Sequence, residues 1–320
     1  MSIRTSSIAL SIIIPVYNAE KTIYKLVEEL IKALNPHYKL EIILVNDNSK
    51  DRSEEVCIFL FEKYRKIVKF YSLSKNFGEH SAVMAGLNKA TGDYVVIMDD
   101  DFQNPISEVV KLAKTIFEND YDVVYSYYGK KMDSLYKNFG SWFNDKVANI
   151  MLKKPKDLYL SSFKVLNRFL VNEIIKYQAP FPYIDGLILQ ITDKIGKIKV
   201  EHHKRQEGRS RYTLRKLISL WLNMFTNFSI LPLRSAVILG FIFSLLGLAL
   251  GVYYVIEKIL DPNLPIGYAT IVFSISIFAG VQLIALGMLG EYIGRIFLSL
   301  NKKPQYTIKK IYEYHDAENS

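Results

Sequence analysis

Residues 96–105 read VIMDDDFQNP, an apolar run that ends in three successive carboxylates, Asp99, Asp100 and Asp101, with Gln103 two positions on. Like charges side by side repel, so such a trio needs something to hold. One chemistry is a divalent cation: Asp99, Asp101 and Gln103 offer the hard oxygen ligands that Mg2+ or Mn2+ takes, and such ions keep waters and share themselves with substrate phosphates. A second is general acid or base work by a carboxylate. A third is helix capping, which suits Asn104 with Pro105 at the first helical position. Capping leaves the three aspartates unexplained. Strand side chains alternate, so Asp99 and Asp101 are expected on one side and Asp100 on the other.

The elements that must position these acids are legible up to about residue 125. Residues 10–16, 41–46, 67–73, 93–98 and 121–126 are short, apolar, β-branched runs, and helical patterns such as Lys21–Leu34 and Glu79–Ala90 lie between them. Near-continuous apolar strands alternating with helices predict an α/β fold with a mostly parallel sheet covered on both faces. Ligands of such sheets bind at the carboxyl ends of the strands, where the trio falls.

Further along, Leu135, Phe139, Trp142, Phe143, Val147, Ile150 and Met151 recur at helical spacing, and 214–231 is a second amphipathic helix with a polar stripe at Ser219, Asn223, Thr226 and Asn227. Residues 235–256 and 266–290 carry no charge. Each run can cross a hydrocarbon core of roughly 30 Å as a helix. Arg205, Arg209, Arg211, Arg215, Lys216 and Arg234 precede this hairpin, and Arg295, Lys302, Lys303, Lys309 and Lys310 follow it. The positive-inside tendency puts both flanks in the cytoplasm. The expected layout is a cytoplasmic domain at 1–212, an interfacial helix at 213–232, two spans within 233–292 (about 235–256 and 267–289) and a cytoplasmic tail at 293–320. The chain would then be a multi-pass protein of the inner membrane. Small residues Gly240, Gly247 and Gly251 offer a route to a homo-oligomer. The chain carries a net charge of +9. Because the charge gathers beside the spans, anionic lipid accounts for much of it and nucleic acid is disfavoured as a partner. Cys57 is the only cysteine, which excludes an internal disulfide and reads as an inert core thiol.

Four stretches occur in order: SIIIPVYNAE (11–20), VNDNSKD (45–51), NFGEHSAVMAGLNKATGDYVVIMDDDFQNP (76–105) and GMLGEYIGRIF (287–297). In these the chain resembles the family 2 glycosyltransferases of the GT-A fold, in the membrane-tethered branch that acts on polyprenyl phosphates. The resemblance implies a nucleotide-sugar donor, Mg2+ or Mn2+, and a polyprenyl phosphate or other lipid-linked acceptor. It implies a nucleotide pocket lined by Pro15, Tyr17, Asn18 and Glu20, with Asp47 bonding the base and Asn76, Gly78, Asp99 and Asp100 beside the nucleotide. Asn48 stands where the family has glycine, a mild change because asparagine tolerates a left-handed backbone. The metal motif maps onto Asp99, Asp101 and Gln103, with Asp101 at the reaction centre. Lys164 lies where relatives often carry a phosphate-contacting arginine, and lysine cannot make the bidentate contact. The stretch HHKRQEGRSRY (202–212) matches a His-x-x-Arg-x-x-Gly-x-Ser-x-Tyr pattern through His202, Arg205, Gly208, Ser210 and Tyr212, and reads as a lid over the substrate phosphates. Lys75, Arg209 and Arg211 are further phosphate candidates. His80 reads as a helix-surface or supporting residue.

The acceptor sets one more requirement. A phosphate monoester, with a second pKa of about 6, is mostly ionised near neutral pH and attacks without a base. A hydroxyl needs a positioned carboxylate. Asp185 is either that base or a structural acid, with Asp157 a weaker candidate. Alternatives are therefore transfer to a hydroxyl of a lipid-linked glycan, or, in another class, a non-catalytic membrane partner of a sugar-lipid flippase. A processive polysaccharide synthase is disfavoured, since the Gln-x-x-Arg-Trp motif is missing.

Overall fold

A computed structural model of the chain describes residues 8–128, 155, 158–201, 231–262 and 267–314. Two units emerge, Met1–Arg211 with Lys302–Ser320, and Tyr212–Asn301.

In the first unit the chain runs β1 (Ala9–Val16), α1 (Ile23–Leu34), β2 (Lys39–Asn46), α2 (Ser53–Lys63), β3 (Val68–Leu73), α3 (Glu79–Leu87), β4 (Tyr94–Ile97), α4 (Ile106–Glu118), β5 (Val123–Tyr128), β6 (Lys164–Asn167), α5 (Arg168–Ile174), α6 (Ile184–Ile191) and β7 (Ile195–Val200). After the second unit it returns as β8 (Ile308–Tyr312). One sheet results, in the order β7-β5-β6-β4-β1-β2-β3-β8. Leu10, Ile12, Ile13 and Ile14 of β1 are fully buried, as a central strand covered on both faces requires. Helix α1 buries Ile23, Leu26, Val27, Leu30 and Leu34, a stripe at helical spacing.

Strand β1 pairs in parallel with β2 on one side and β4 on the other. Chain connections leave β1 in opposite directions there, which opens a crevice at the carboxyl ends of β1 and β4. Strand β6 runs antiparallel to both β4 and β5. Its first residue, Lys164, therefore sits beside Ile97 and Tyr125, at the same end of the sheet as the crevice.

The segment expected as a tail from 293 takes another form. The preceding helix continues to Leu300, and β8 then pairs antiparallel with β3. Lys310 meets Glu54 at 2.6 Å, and Gln305 Nε2 donates to the carbonyls of Tyr177 and Ala179 at 2.6 and 2.9 Å. The strand IKKIY is too short to announce itself; the edge of β3 supplies the pairing that makes it a strand.

At the opposite end of the sheet, Gly92 donates its N–H to Ser11 Oγ at 2.9 Å. A Cβ on Gly92 would lie 2.7 Å from the Ser11 backbone nitrogen and 2.9 Å from the Ala9 carbonyl. Gly92→Ala must move backbone, and overpacking of that kind costs about 1–3 kcal/mol. Its thermal midpoint in detergent should fall by several degrees, with turnover at low temperature retained. An unchanged midpoint would mean that β1 yields freely.

The second unit contains α7 (Leu231–Leu260) and α8 (Tyr268–Leu300). Within them Leu233–Leu260 and Phe273–Leu300 each span 28 residues, with mean hydropathies of 2.4 and 1.9. At 1.5 Å per residue each is about 42 Å long, enough to cross a membrane. Their large apolar side chains, Phe241, Leu248, Ile275 and Leu283 among them, are exposed. Gly247 is taken up inside the hairpin: a Cβ there would lie 3.1 Å from the Phe278 ring. Of the three glycines expected to serve a second copy, only Gly240 and Gly251 have open space around them. The amphipathic stretches at 135–151 and 214–230 lie outside the described residues.

Candidate active site

The exits of β1 and β2 are stitched together by reciprocal bonds. Asn18, at φ 52°, donates its N–H to Ser49 Oγ at 3.0 Å, and its Oδ1 accepts from the Lys50 N–H at 2.8 Å. Glu20 donates its N–H to Asp51 Oδ2 at 3.2 Å, and its carboxylate accepts from the Arg52 N–H at 3.0 Å. Asn18 and Glu20 thus shape the wall beyond Pro15, the proline of β1. Asn48 takes φ 56°, a left-handed backbone that asparagine accepts in place of glycine.

Asp47 follows β2 and is buried. Its carboxylate accepts the N–H groups of Phe77 at 2.7 Å and Gly78 at 2.9 Å, and Asn76 Nδ2 donates to its carbonyl at 3.3 Å. Burial pushes the carboxyl up, against the pull of those two amides. Gly78 turns at φ 93°, which a side chain would strain, and the chain enters α3. Asp47 therefore anchors the Asn-Phe-Gly loop, a role beyond the base contact implied by resemblance.

Each aspartate of the trio bonds a different element. Strand β4 ends at Ile97, before the acids, so strand alternation does not reach them. Asp99 accepts from Ser162 Oγ at 2.6 Å. Asp100 accepts from the Tyr17 N–H at 3.0 Å, bridging β4 to β1 across the crevice. Asp101, buried, accepts from the Gln103 N–H at 3.1 Å, closing a turn in which Phe102 takes φ 59°. An aromatic side chain at that φ is costly, and such outliers gather at functional sites. Asn104 does not cap the helix: α4 starts at Ile106 with Pro105 as its N-cap, and Asn104 Oδ1 instead accepts from the Tyr128 hydroxyl at 3.0 Å. A tyrosine from β5 out of sequence reach took that oxygen.

Among the described residues no three His, Cys, Asp or Glu side chains gather at metal-binding spacing. Mg2+ commonly takes one or two carboxylates from a protein and the rest of its ligands from water and phosphate. The donor chemistry of Asp99 and Asp101, with Gln103 beside them, fits such an ion.

Lys164 and Asp185 are both buried and ion-paired. The Tyr125 hydroxyl donates to the same carboxylate oxygen at 2.8 Å, and the Lys164 ammonium stands 5.1 Å from the Tyr125 ring centre. Asp185 lies in the first turn of α6. Glu79, at the start of α3, is open to solvent yet crowded by protein; desolvation and the negative charge of Asp99 push it up to about 7. Its neighbour His80 packs edge-on against Tyr183, ring centres 5.0 Å apart. Ser162, Tyr125, Glu79 and Tyr183 were not singled out from sequence. The one local signal was position: Glu79 follows the Asn-Phe-Gly stretch and Ser162 precedes Lys164 by two. Arg205, with His202, Arg209, Arg211 and Asp157, lies outside the described residues.

Residues 11–175 match the family described as "Glycosyl transferase family 2". The chain is 32% identical over 310 residues to the undecaprenyl-phosphate 4-deoxy-4-formamido-L-arabinose transferase of Photorhabdus laumondii, covering 94% of this chain and 93% of that protein. It is 31% identical over 319 residues to the protein of that name from Yersinia enterocolitica, covering 97% and 95%. Among solved structures, glucosyl-3-phosphoglycerate synthase from Mycobacterium tuberculosis, in complex with Mn2+, UDP-glucose and phosphoglyceric acid, superposes with a TM-score of 0.52 at 18% identity, over 68% of this chain and 79% of that one. At that identity the likeness speaks for the fold, which is GT-A.

Proposed function

The chain belongs to the family 2 glycosyltransferases, and we propose that it is an inverting enzyme that moves a sugar from a nucleotide donor to a polyprenyl phosphate of the undecaprenyl type. The observation that carries this reading is the near full-length match to undecaprenyl-phosphate transferases, apolar hairpin included. The donor would lie in the crevice between β1 and β4, against the loop that Asp47 anchors. Asp99 and Asp101, with Gln103, would hold Mg2+ or Mn2+, and this ion would offset the charge gathering on the departing nucleoside diphosphate. Asp100 would keep the crevice walls in register through the Tyr17 N–H.

In the reaction an oxygen of the acceptor phosphate attacks the anomeric carbon from the face opposite the nucleotide. The C1–O bond to the nucleoside diphosphate breaks, and its electron pair leaves with that group. No base is required, because the phosphate is already ionised. The pairing of Asp185 with Lys164 and Tyr125 supports this over the hydroxyl acceptor, since one oxygen of that buried carboxylate already accepts from two protein donors. Arg205 and the basic stretch around it would close over the phosphates. In the layout we favour, 1–212 works at the cytoplasmic face of the inner membrane, 213–232 lies in the interface, and α7 and α8 span.

Membranes carrying the protein, incubated with undecaprenyl phosphate and a panel of radiolabelled nucleotide sugars, should yield labelled lipid on extraction. EDTA should abolish the label, and added Mn2+ or Mg2+ should restore it. Labelling indifferent to EDTA would remove the cation from the reading, and no labelled lipid with any donor would remove the transferase.

A further inference from the structure

Asp99 differs from its two neighbours in what holds it. Asp100 accepts the Tyr17 N–H and Asp101 the Gln103 N–H, both backbone donors. Asp99 Oδ2 accepts a side-chain hydroxyl, that of Ser162, at 2.6 Å. This is the short length of a charge-assisted O–H···O bond. The segment that carries Ser162 is fixed from β5. On one side of Ser162, the Ser161 hydroxyl lies 2.9 Å from Ser126 Oγ and accepts the Phe163 N–H at 3.2 Å. On the other, the Phe163 carbonyl accepts from the Ser126 N–H at 3.2 Å and from Ser126 Oγ at 2.7 Å. Ser126, Ser161 and Phe163 are buried, whereas Ser162 is half-buried and gives its hydroxyl to Asp99. The far end of the acidic stretch is tied to the same strand through Asn104 and Tyr128. A carboxylate beside two others is driven away from them by like charge when no ion offsets the repulsion. A donor anchored in the sheet opposes that swing, so less reordering is left for ion binding. Hydrogen bonds that orient a ligating carboxylate in this way are commonly worth about 10–100-fold in metal affinity.

Resting on the reading of Asp99 as a cation ligand, we propose that Ser162 is a positioning residue for the divalent cation. Its hydroxyl, fixed in place by Ser126 and Ser161, holds the Asp99 carboxylate ready for the ion.

The test uses the purified full chain in detergent, with Mn2+ as the probe, added alone and then with the nucleoside diphosphate of the donor that labels lipid in the assay above. Two quantities are read: the Kd for Mn2+, and the rise in thermal midpoint that a fixed Mn2+ concentration gives over EDTA. An ion that binds the folded state raises stability according to its concentration relative to Kd. Each variant is compared with itself without metal, so a loss of fold stability alone cancels. Ser162→Ala should raise the Mn2+ Kd about tenfold and shrink the metal-dependent rise in midpoint. Ser162→Thr keeps the hydroxyl and should bind Mn2+ within about twofold of the wild type. Equal Mn2+ affinity in Ser162→Ala and the wild type would overturn the proposal, and so would a Ser162→Thr variant that binds as weakly as Ser162→Ala. A wild type that binds no Mn2+ would instead overturn the assignment of Asp99 to the cation, and this proposal with it.

Discussion

Asp101→Asn is expected to cut transfer by about a hundredfold to a thousandfold, the scale seen when one preorganised electrostatic contact to developing charge is removed. Asparagine keeps an oxygen in place of the one that accepts the Gln103 N–H at 3.1 Å, so the turn around Phe102 should survive. What disappears is a negative charge at the end of β4. The substitution therefore isolates the charge from the geometry. Membrane insertion and thermal midpoint should match the wild type, and Mn2+ should bind more weakly in a direct titration with the nucleoside diphosphate present. Full turnover by this variant would end the assignment of Asp101 as a cation ligand.

Lys164→Met should produce the largest loss of stability. It leaves the Asp185 carboxylate buried with the Tyr125 hydroxyl as its one remaining side-chain donor among the described residues. Breaking a buried ion pair by removing one member costs about 3–5 kcal/mol, because the remaining charge is left uncompensated. For a domain of this size that corresponds to a fall in midpoint on the order of ten degrees. Replacing both members, Lys164→Met with Asp185→Leu, should return most of the stability, since neither charge then remains buried. The double variant also separates roles. If it is stable and transfers sugar normally, Lys164 is no phosphate ligand and Asp185 no base. If it is stable and inactive, the pair acts on substrate. A single variant as stable as the wild type would mean that water reaches the pair and screens it.

Much of this architecture can be read along the chain because its signals are local. The β-branched runs that become β1 to β5, the helix stripe from Ile23 to Leu34 and the two long uncharged segments depend only on residues a few positions apart. So does the position of Asp99 to Asp101 just past a strand. Local patterns along the chain thus specify an α/β domain, an acidic strand end and an apolar hairpin. Which groups meet depends on the folded sheet. Asp99 bonds Ser162 across 63 positions, Asp100 bonds Tyr17 across 83, and Lys164 meets Asp185 through the antiparallel entry of β6. Asn104 gave its side chain to Tyr128 instead of the helix, and IKKIY became a strand only because β3 offered an open edge. Side-chain periodicity reports which face is buried, whereas hydrogen bonds and ion pairs form between whichever groups the sheet brings together. That pairing has no repeat along the chain to read.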